Sequence, residues 1–181
     1  MSTAEELKEQ GIKLFQQRDY EAAVKIFQQA REAYVAEDKP DMGAEMLANI
    51  GLVHRSLGEH QQALDTMQES LNIFQEMGDN LRVAKSLGNM GGVYVALGDK
   101  EQAYNCYRQA ADIFEELGEK KLYGETLIAM GDLQVRDGKL MRGAATYEVG
   151  LENLENLSPS QKIIKGLLGV RGKLTGGGKD S

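Results

Sequence analysis

With 181 residues, 41% hydrophobic and 27% charged, the chain is long enough for one domain with a sizeable core and too apolar to be read as disordered. The net charge of −7 is uneven, with sixteen basic against twenty-seven acidic residues over 1–160 and five against one over 161–181; an acidic body excludes general nucleic-acid binding, which needs a basic footprint. No apolar stretch approaches the ~20 residues of a membrane span, so no membrane partner is expected.

Only two prolines, with abundant Ala, Leu, Glu, Gln and Lys, favour helix throughout. The spacing predicts a first helix over 3–17, carrying Leu7 and Gly11, and a second over 20–36, carrying Ala23, Phe27 and Tyr34. A third, over 41–56, has Pro40 in its first turn, where the missing N–H costs nothing, and repeats the pattern with Leu47 and Gly51. A fourth, over 60–77, carries Ala63, Met67 and Phe74. The fifth and sixth, 80–97 and 100–117, place Leu87 and Gly91, then Ala103, Tyr107 and Phe114. The seventh and eighth, 121–137 and 141–156, place Leu127 and Gly131, then Gly143, Tyr147 and Leu154.

These columns recur every 40 residues, as in Gly11, Gly51, Gly91 and Gly131. A repeated helical hairpin explains them. In the third copy Leu87, Met90, Gly91 and Tyr94 make one helical stripe. Gly98 suits a left-handed helix end and Asp99 a cap for the next helix. Met77-Gly78-Asp79 and Leu117-Gly118-Glu119 punctuate the links between hairpins with a glycine and an acidic helix start. Arg18 replaces the turn glycine of the first copy. Gly143 and Gly150 replace alanines in the fourth, which predicts a loose last repeat and a stabilising Gly143→Ala if the methyl fits.

Ser158-Pro159-Ser160-Gln161 reads as a helix start with a capping box. Ile163, Ile164, Leu167, Leu168, Arg171 and Leu174 follow on one face. This helix, 158–174, is expected to cover the apolar end of the fourth repeat, as solenoid caps do, with a disordered tail over 175–181.

Segments such as Leu87-Gly88-Asn89-Met90-Gly91-Gly92-Val93-Tyr94, then Leu97-Gly98-Asp99 and Ala103, resemble the tetratricopeptide repeat. The 40-residue period resembles its long-repeat branch, typified by the Pins/LGN spindle adaptors, rapsyn and kinesin light chain. The resemblance covers residues 4–156. It implies an all-α fold, a right-handed superhelical solenoid of antiparallel helix hairpins with four repeats in one domain over 1–174. It also implies a concave groove lined by the first helix of each repeat and no single function, since one fold hosts many.

The groove positions implied by the resemblance include Asn49, Leu52 and Arg55 in repeat two, Lys85, Gly88, Asn89 and Gly92 in repeat three, and Arg136 in repeat four. Asn49 and Asn89 match positions where long-repeat relatives hold an extended peptide backbone, and an amide both donates and accepts. Arg82, Lys85, Arg55 and Arg136 add positive charge that can pair with acidic side chains of a ligand. The competing reading is a solvated polar face. A carboxylate-clamp co-chaperone matches at Lys8, Asn49 and Lys85 but not at Ile12 or Asn89.

Chemistry is otherwise sparse. The glycine-rich tail fails as a phosphate loop, because Lys173 and Asp180 stand where glycine and Ser or Thr are required. His54 reads as a packing residue and His60 as a surface one, and neither has the company that zinc needs. Cys106, the lone cysteine, reads as a buried inert thiol and excludes an internal disulfide, so a reducing, cytoplasmic setting is expected. The N-terminal Met-Ser-Thr-Ala-Glu-Glu shows no signal peptide. No enzyme activity, cofactor or metal is expected. The expected role is an adaptor that binds an extended segment of a protein partner as a monomer; the alternative is a module that self-assembles through its ends or its C-terminal helix.

Overall fold

The computed structural model describes the backbone of residues 2–176 and the side chains of residues 2–168; the side chains of Arg171 and Leu174 and the whole of the tail residues 177–181 lie outside these descriptions. Among the described residues every regular element is helical: α1 (Ala4–Gln16), α2 (Tyr20–Ala36), α3 (Pro40–Leu57), α4 (His60–Glu76), α5 (Asn80–Leu97), α6 (Lys100–Glu116), α7 (Lys120–Arg136), α8 (Leu140–Glu152) and α9 (Pro159–Gly176). Connections of two or three residues join α1 through α8; from α1 to α5, and again from α7 to α8, the chain turns back to pack on the helix just completed. The contacts divide the chain into two compact units, Met1–Cys106 and Tyr107–Ser181, with the boundary inside α6.

The helix ends follow local chemistry. Thr3 and Glu6 form a reciprocal capping box on α1, at 3.2 and 2.8 Å. Asp19, Asp79 and Asp99 accept the backbone N–H groups of Ala22, Arg82 and Gln102 at 3.4, 3.0 and 3.1 Å. Glu119, expected to serve as an acidic start, precedes α7 without a side-chain cap bond. At the opposite ends the chain enters the left-handed region every twenty residues, at Arg18, Asp38, Gly58, Gly78, Gly98, Gly118 and Gly138. The half-repeat is therefore punctuated as regularly as the repeat. At Arg18 and Asp38 a side chain occupies a conformation that favours glycine.

The first unit buries Ala23, Phe27, Ala30 and Tyr34 of α2 against Met46, Ile50 and Val53 of α3. The glycine column works as spacing: a Cβ on Gly11 would lie 2.6 Å from the Phe27 ring, and one on Gly51 would lie 2.6 Å from the Met67 side chain. His60 departs from expectation. It is half-buried rather than superficial, and its Nδ1 is enclosed without a partner among the described residues. Cys106 is buried, and burial first, then the charge of Asp99, pushes its thiol pKa up.

In the second unit α7 and α8 pack backbone to backbone through Gly124, Gly131, Gly143 and Gly150. A Cβ on Gly143 would stand 2.7 Å from the Val135 side chain and 2.8 Å from the Gly131 carbonyl oxygen. Alanine there, favoured by helix propensity alone, has no room. Buried Gln134 accepts a 2.8 Å hydrogen bond from Thr146 across the same pair of helices. Helix α8 ends at Glu152, a turn before the expected 156, because the Asn153 amide turns back to donate to the Val149 carbonyl at 2.9 Å. The capping box at α9 forms as spaced: the Ser158 N–H donates to Gln161 and the Gln161 N–H to Ser158, at 2.9 and 3.3 Å. Ile164 and Leu168 are half-buried, whereas Ile163 and Leu167 are 65% and 67% exposed. The helix continues through Thr175 and Gly176, into the stretch read as tail.

Candidate functional site

A cleft of about 580 Å³ opens in the first unit. Helix α3 contributes Glu45, Ala48, Asn49 and Leu52; α4 contributes Phe74; α5 and its cap contribute Asp79, Leu81, Arg82, Lys85, Ser86 and Asn89. Helical spacing accounts for the sharing. Glu45, Ala48, Asn49 and Leu52 recur at three and four residues on one face of α3, as do Arg82, Lys85, Ser86 and Asn89 on α5. The adjoining faces hold Met46, Ile50 and Val53, and Val83, Leu87 and Met90, all buried. Burial of those residues turns Glu45, Asn49, Arg82, Lys85 and Asn89 toward solvent, whereas Ser86 is itself buried.

The structure thus brings together five of the seven expected groove residues: Asn49, Leu52, Arg82, Lys85 and Asn89. Arg55 is exposed in the last turn of α3 and does not line the cleft. Arg136 is exposed in the last turn of α7, in the second unit.

The two cations of the cleft differ in kind. The Arg82 guanidinium reaches Asp79 at 3.0 Å, Glu45 at 3.5 Å and Asp41 at 3.6 Å, and it lies over the Phe74 ring, 5.5 Å from the centroid. One donor is hydrogen-bonded to Asp79, and its charge is already shared among three carboxylates. Lys85 is exposed and engaged by no other described residue. Asn49 and Asn89 are half-buried, and their amides are likewise unengaged among the described residues.

Glu45 ties the cleft to a longer network. Lys8 pairs with it at 3.2 Å and with Glu5 at 3.7 Å, and Tyr34 donates a 2.5 Å hydrogen bond to Glu5. That hydrogen bond first, and the Lys8 charge next, hold the Glu5 carboxyl below the usual carboxylate range. Burial first, then the bond to Glu5, pushes the Tyr34 phenol well above its ordinary value. Sequence reasoning missed Asp41 and Asp79 as partners of Arg82. The Asp79–Arg82 spacing of three residues at a helix start is a signal that could have found one of them.

In the second unit a smaller hollow of about 340 Å³ is lined by Lys120, Lys121 and Glu125 of α7, by Asn153 to Asn156 and by Gln161. It contains none of the expected groove residues.

The family model described as tetratricopeptide repeat matches residues 4–76 and 44–116. No curated protein sequence matches the chain. Solved structures with a similar fold include BtubC (BKLC) from P. vanneervenii, 18% identical over 95% of this chain and 72% of that one, with a TM-score of 0.78. The apo form of RapI is 17% identical over 96% and 50%, with a TM-score of 0.79. Aspartyl phosphate phosphatase F from Bacillus subtilis is 17% identical over 92% and 45%, with a TM-score of 0.76. The chain spans about half the length of the latter two. At such identities the likeness concerns the fold.

Proposed function

The chain belongs to the tetratricopeptide repeat family, and from that premise we propose that it is a protein-interaction module whose α3–α5 cleft holds an extended segment of a partner protein. One observation carries the reading: two unengaged amides, Asn49 and Asn89, share one open cleft with the unpaired Lys85. An extended peptide offers N–H and C=O groups along its length, and an amide can serve either. Leu52 and Leu81 give apolar surface for a side chain of the segment. Lys85, and not Arg82, is the cation available to an acidic residue of the ligand, since Arg82 is held by Asp41, Glu45 and Asp79. The 40-residue period supports assignment to the long-repeat branch of the family.

The test is a selection of short random peptides displayed on phage against the whole chain, followed by titration of the recovered sequences. Each amide hydrogen bond is worth about 0.5–1.5 kcal/mol. The combined Asn49→Ala and Asn89→Ala variant should therefore bind roughly ten-fold more weakly or worse, with its melting temperature nearly unchanged. Undiminished binding by that variant would reject the cleft.

Self-assembly is the second reading, and a different observation favours it. Leu140 and Met141 at the start of α8 are each 62% exposed, in the same unit as the exposed Ile163 and Leu167 of α9. Light scattering over a concentration series separates the readings: an apparent mass that rises with concentration, and falls back on Ile163→Lys with Leu167→Lys, supports assembly.

A further inference from the structure

Most described glycines inside the helices have a visible reason to be there. A Cβ on Gly11, Gly51, Gly124, Gly131, Gly143 or Gly150 would come within 3 Å of an atom of the neighbouring helix, so each allows close packing. Like Gly166 of α9, Gly88 does not fit this pattern. It lies in the middle of α5, its backbone is not in the left-handed region, and a Cβ there would meet nothing within 4 Å. Glycine inside a helix is a standing entropic cost, and neither packing nor backbone conformation accounts for it here.

Its register supplies a reason. Gly88 is not itself a lining residue of the cleft, but it precedes Asn89 and follows Lys85 by three residues, and both of those line it. The equivalent positions are Lys8, Ala48 and Ile128. In the two repeats that carry asparagine at the next position, the residue before it is alanine or glycine; in the two that do not, it is a long side chain. Lys8 is itself spent on Glu5 and Glu45.

We propose that Gly88 is where the main chain of the bound peptide comes closest to α5, and that the missing side chain is what lets an extended backbone reach the Asn89 amide. The proposal rests on the reading of the cleft as a peptide site. With no Cβ at 88, an extended chain can lie against the bare helix backbone. A larger group would hold it beyond hydrogen-bonding distance of Asn89, since such bonds require donor and acceptor within about 3.2 Å.

The experiment uses the whole chain and, as probes, synthetic copies of peptides recovered from the phage library on the wild-type protein. Gly88→Ala and Gly88→Leu should each raise the melting temperature, by roughly 2–4 °C for a chain of this size. Their affinities should move the opposite way, a few-fold weaker for alanine and at least ten-fold weaker for leucine. A purely structural glycine does not produce that crossing of stability and affinity. If Gly88→Leu binds the probes as tightly as wild type while Asn49→Ala with Asn89→Ala loses them, the role of Gly88 is overturned and the cleft stands. If Gly88→Leu melts lower than wild type, the residue is a packing glycine and the proposal fails. A library that yields no peptide, or peptides held equally by the asparagine variant, overturns the cleft reading and this inference with it.

Discussion

Gly131 and Gly143 face each other backbone to backbone: a Cβ on Gly143 would lie 2.8 Å from the Gly131 carbonyl oxygen, and one on Gly131 would lie 2.9 Å from that of Gly143. Gly124 and Gly150 repeat the arrangement along the same two helices, at 2.7 and 2.8 Å. The close approach of α7 and α8 is therefore built on four glycines, and one added methyl meets main-chain atoms, which yield less than a side chain does.

Gly143→Ala should accordingly destabilise. Helix propensity favours alanine by about 0.8–1.0 kcal/mol, but overpacking against a fixed backbone costs roughly 1–3 kcal/mol. The steric term should win, and thermal denaturation should show a lower midpoint for Gly143→Ala and for Gly150→Ala. A raised midpoint would mean that the helices separate without penalty.

Arg18 and Asp38 are, among the described residues, the two non-glycine residues held at left-handed backbone angles, φ 63° and 58°. Both are exposed, so little packing is lost on replacement. Arg18→Gly and Asp38→Gly should each stabilise by about 1 kcal/mol, the lower end of the cost of that conformation for an L-residue. The same residue change run backwards, Gly98→Ala at φ 78°, should destabilise by a similar amount. Chemical denaturation midpoints at constant slope provide the measurement.

Tyr34→Phe tests the bond to Glu5 through pH. The Glu5 pKa is lowered in the folded chain, so its contribution is present above the ordinary carboxylate value of about 4.3 and is lost as pH falls through the folded value. The Tyr34 pKa is raised, so its contribution is present below about pH 10 and is lost as pH rises beyond. The stability gap between wild type and Tyr34→Phe should be flat between those limits and narrow outside both. A gap independent of pH down to the acid transition would assign the loss to packing instead.

Arg82 and Lys85 should separate stability from binding. Arg82→Gln leaves Asp41, Glu45 and Asp79 facing one another with one cation fewer, and should cost about 1 kcal/mol of stability, less at high salt. Lys85→Gln should change stability by less than about 0.5 kcal/mol. It should weaken an acidic peptide in a manner that fades with salt. Equal stability losses for the two would mean that Lys85 has partners of its own.

The repeat, the helices and most of their ends were legible in the residue order because each depends on neighbours within one or two turns. Leu87, Met90, Gly91 and Tyr94 mark a face by spacing, Thr3 and Glu6 close a capping box by spacing, and Gly98 ends a helix by its own conformational freedom. The identity of the cleft side chains was legible too, since Asn49, Lys85 and Asn89 occupy a fixed register on helices whose adjoining faces are apolar. What each side chain does there was decided only in three dimensions. Arg82 reads as a free cation until Asp41 and Glu45, on another helix, are brought within 3.6 Å. Gly143 reads as a weak helix residue until Gly131 arrives against it, and the room around Gly88, already a groove position by register, shows only when the neighbouring helices are in place. Propensity is a property of one segment, whereas charge pairing and steric room belong to pairs of segments. Only folding chooses those pairs.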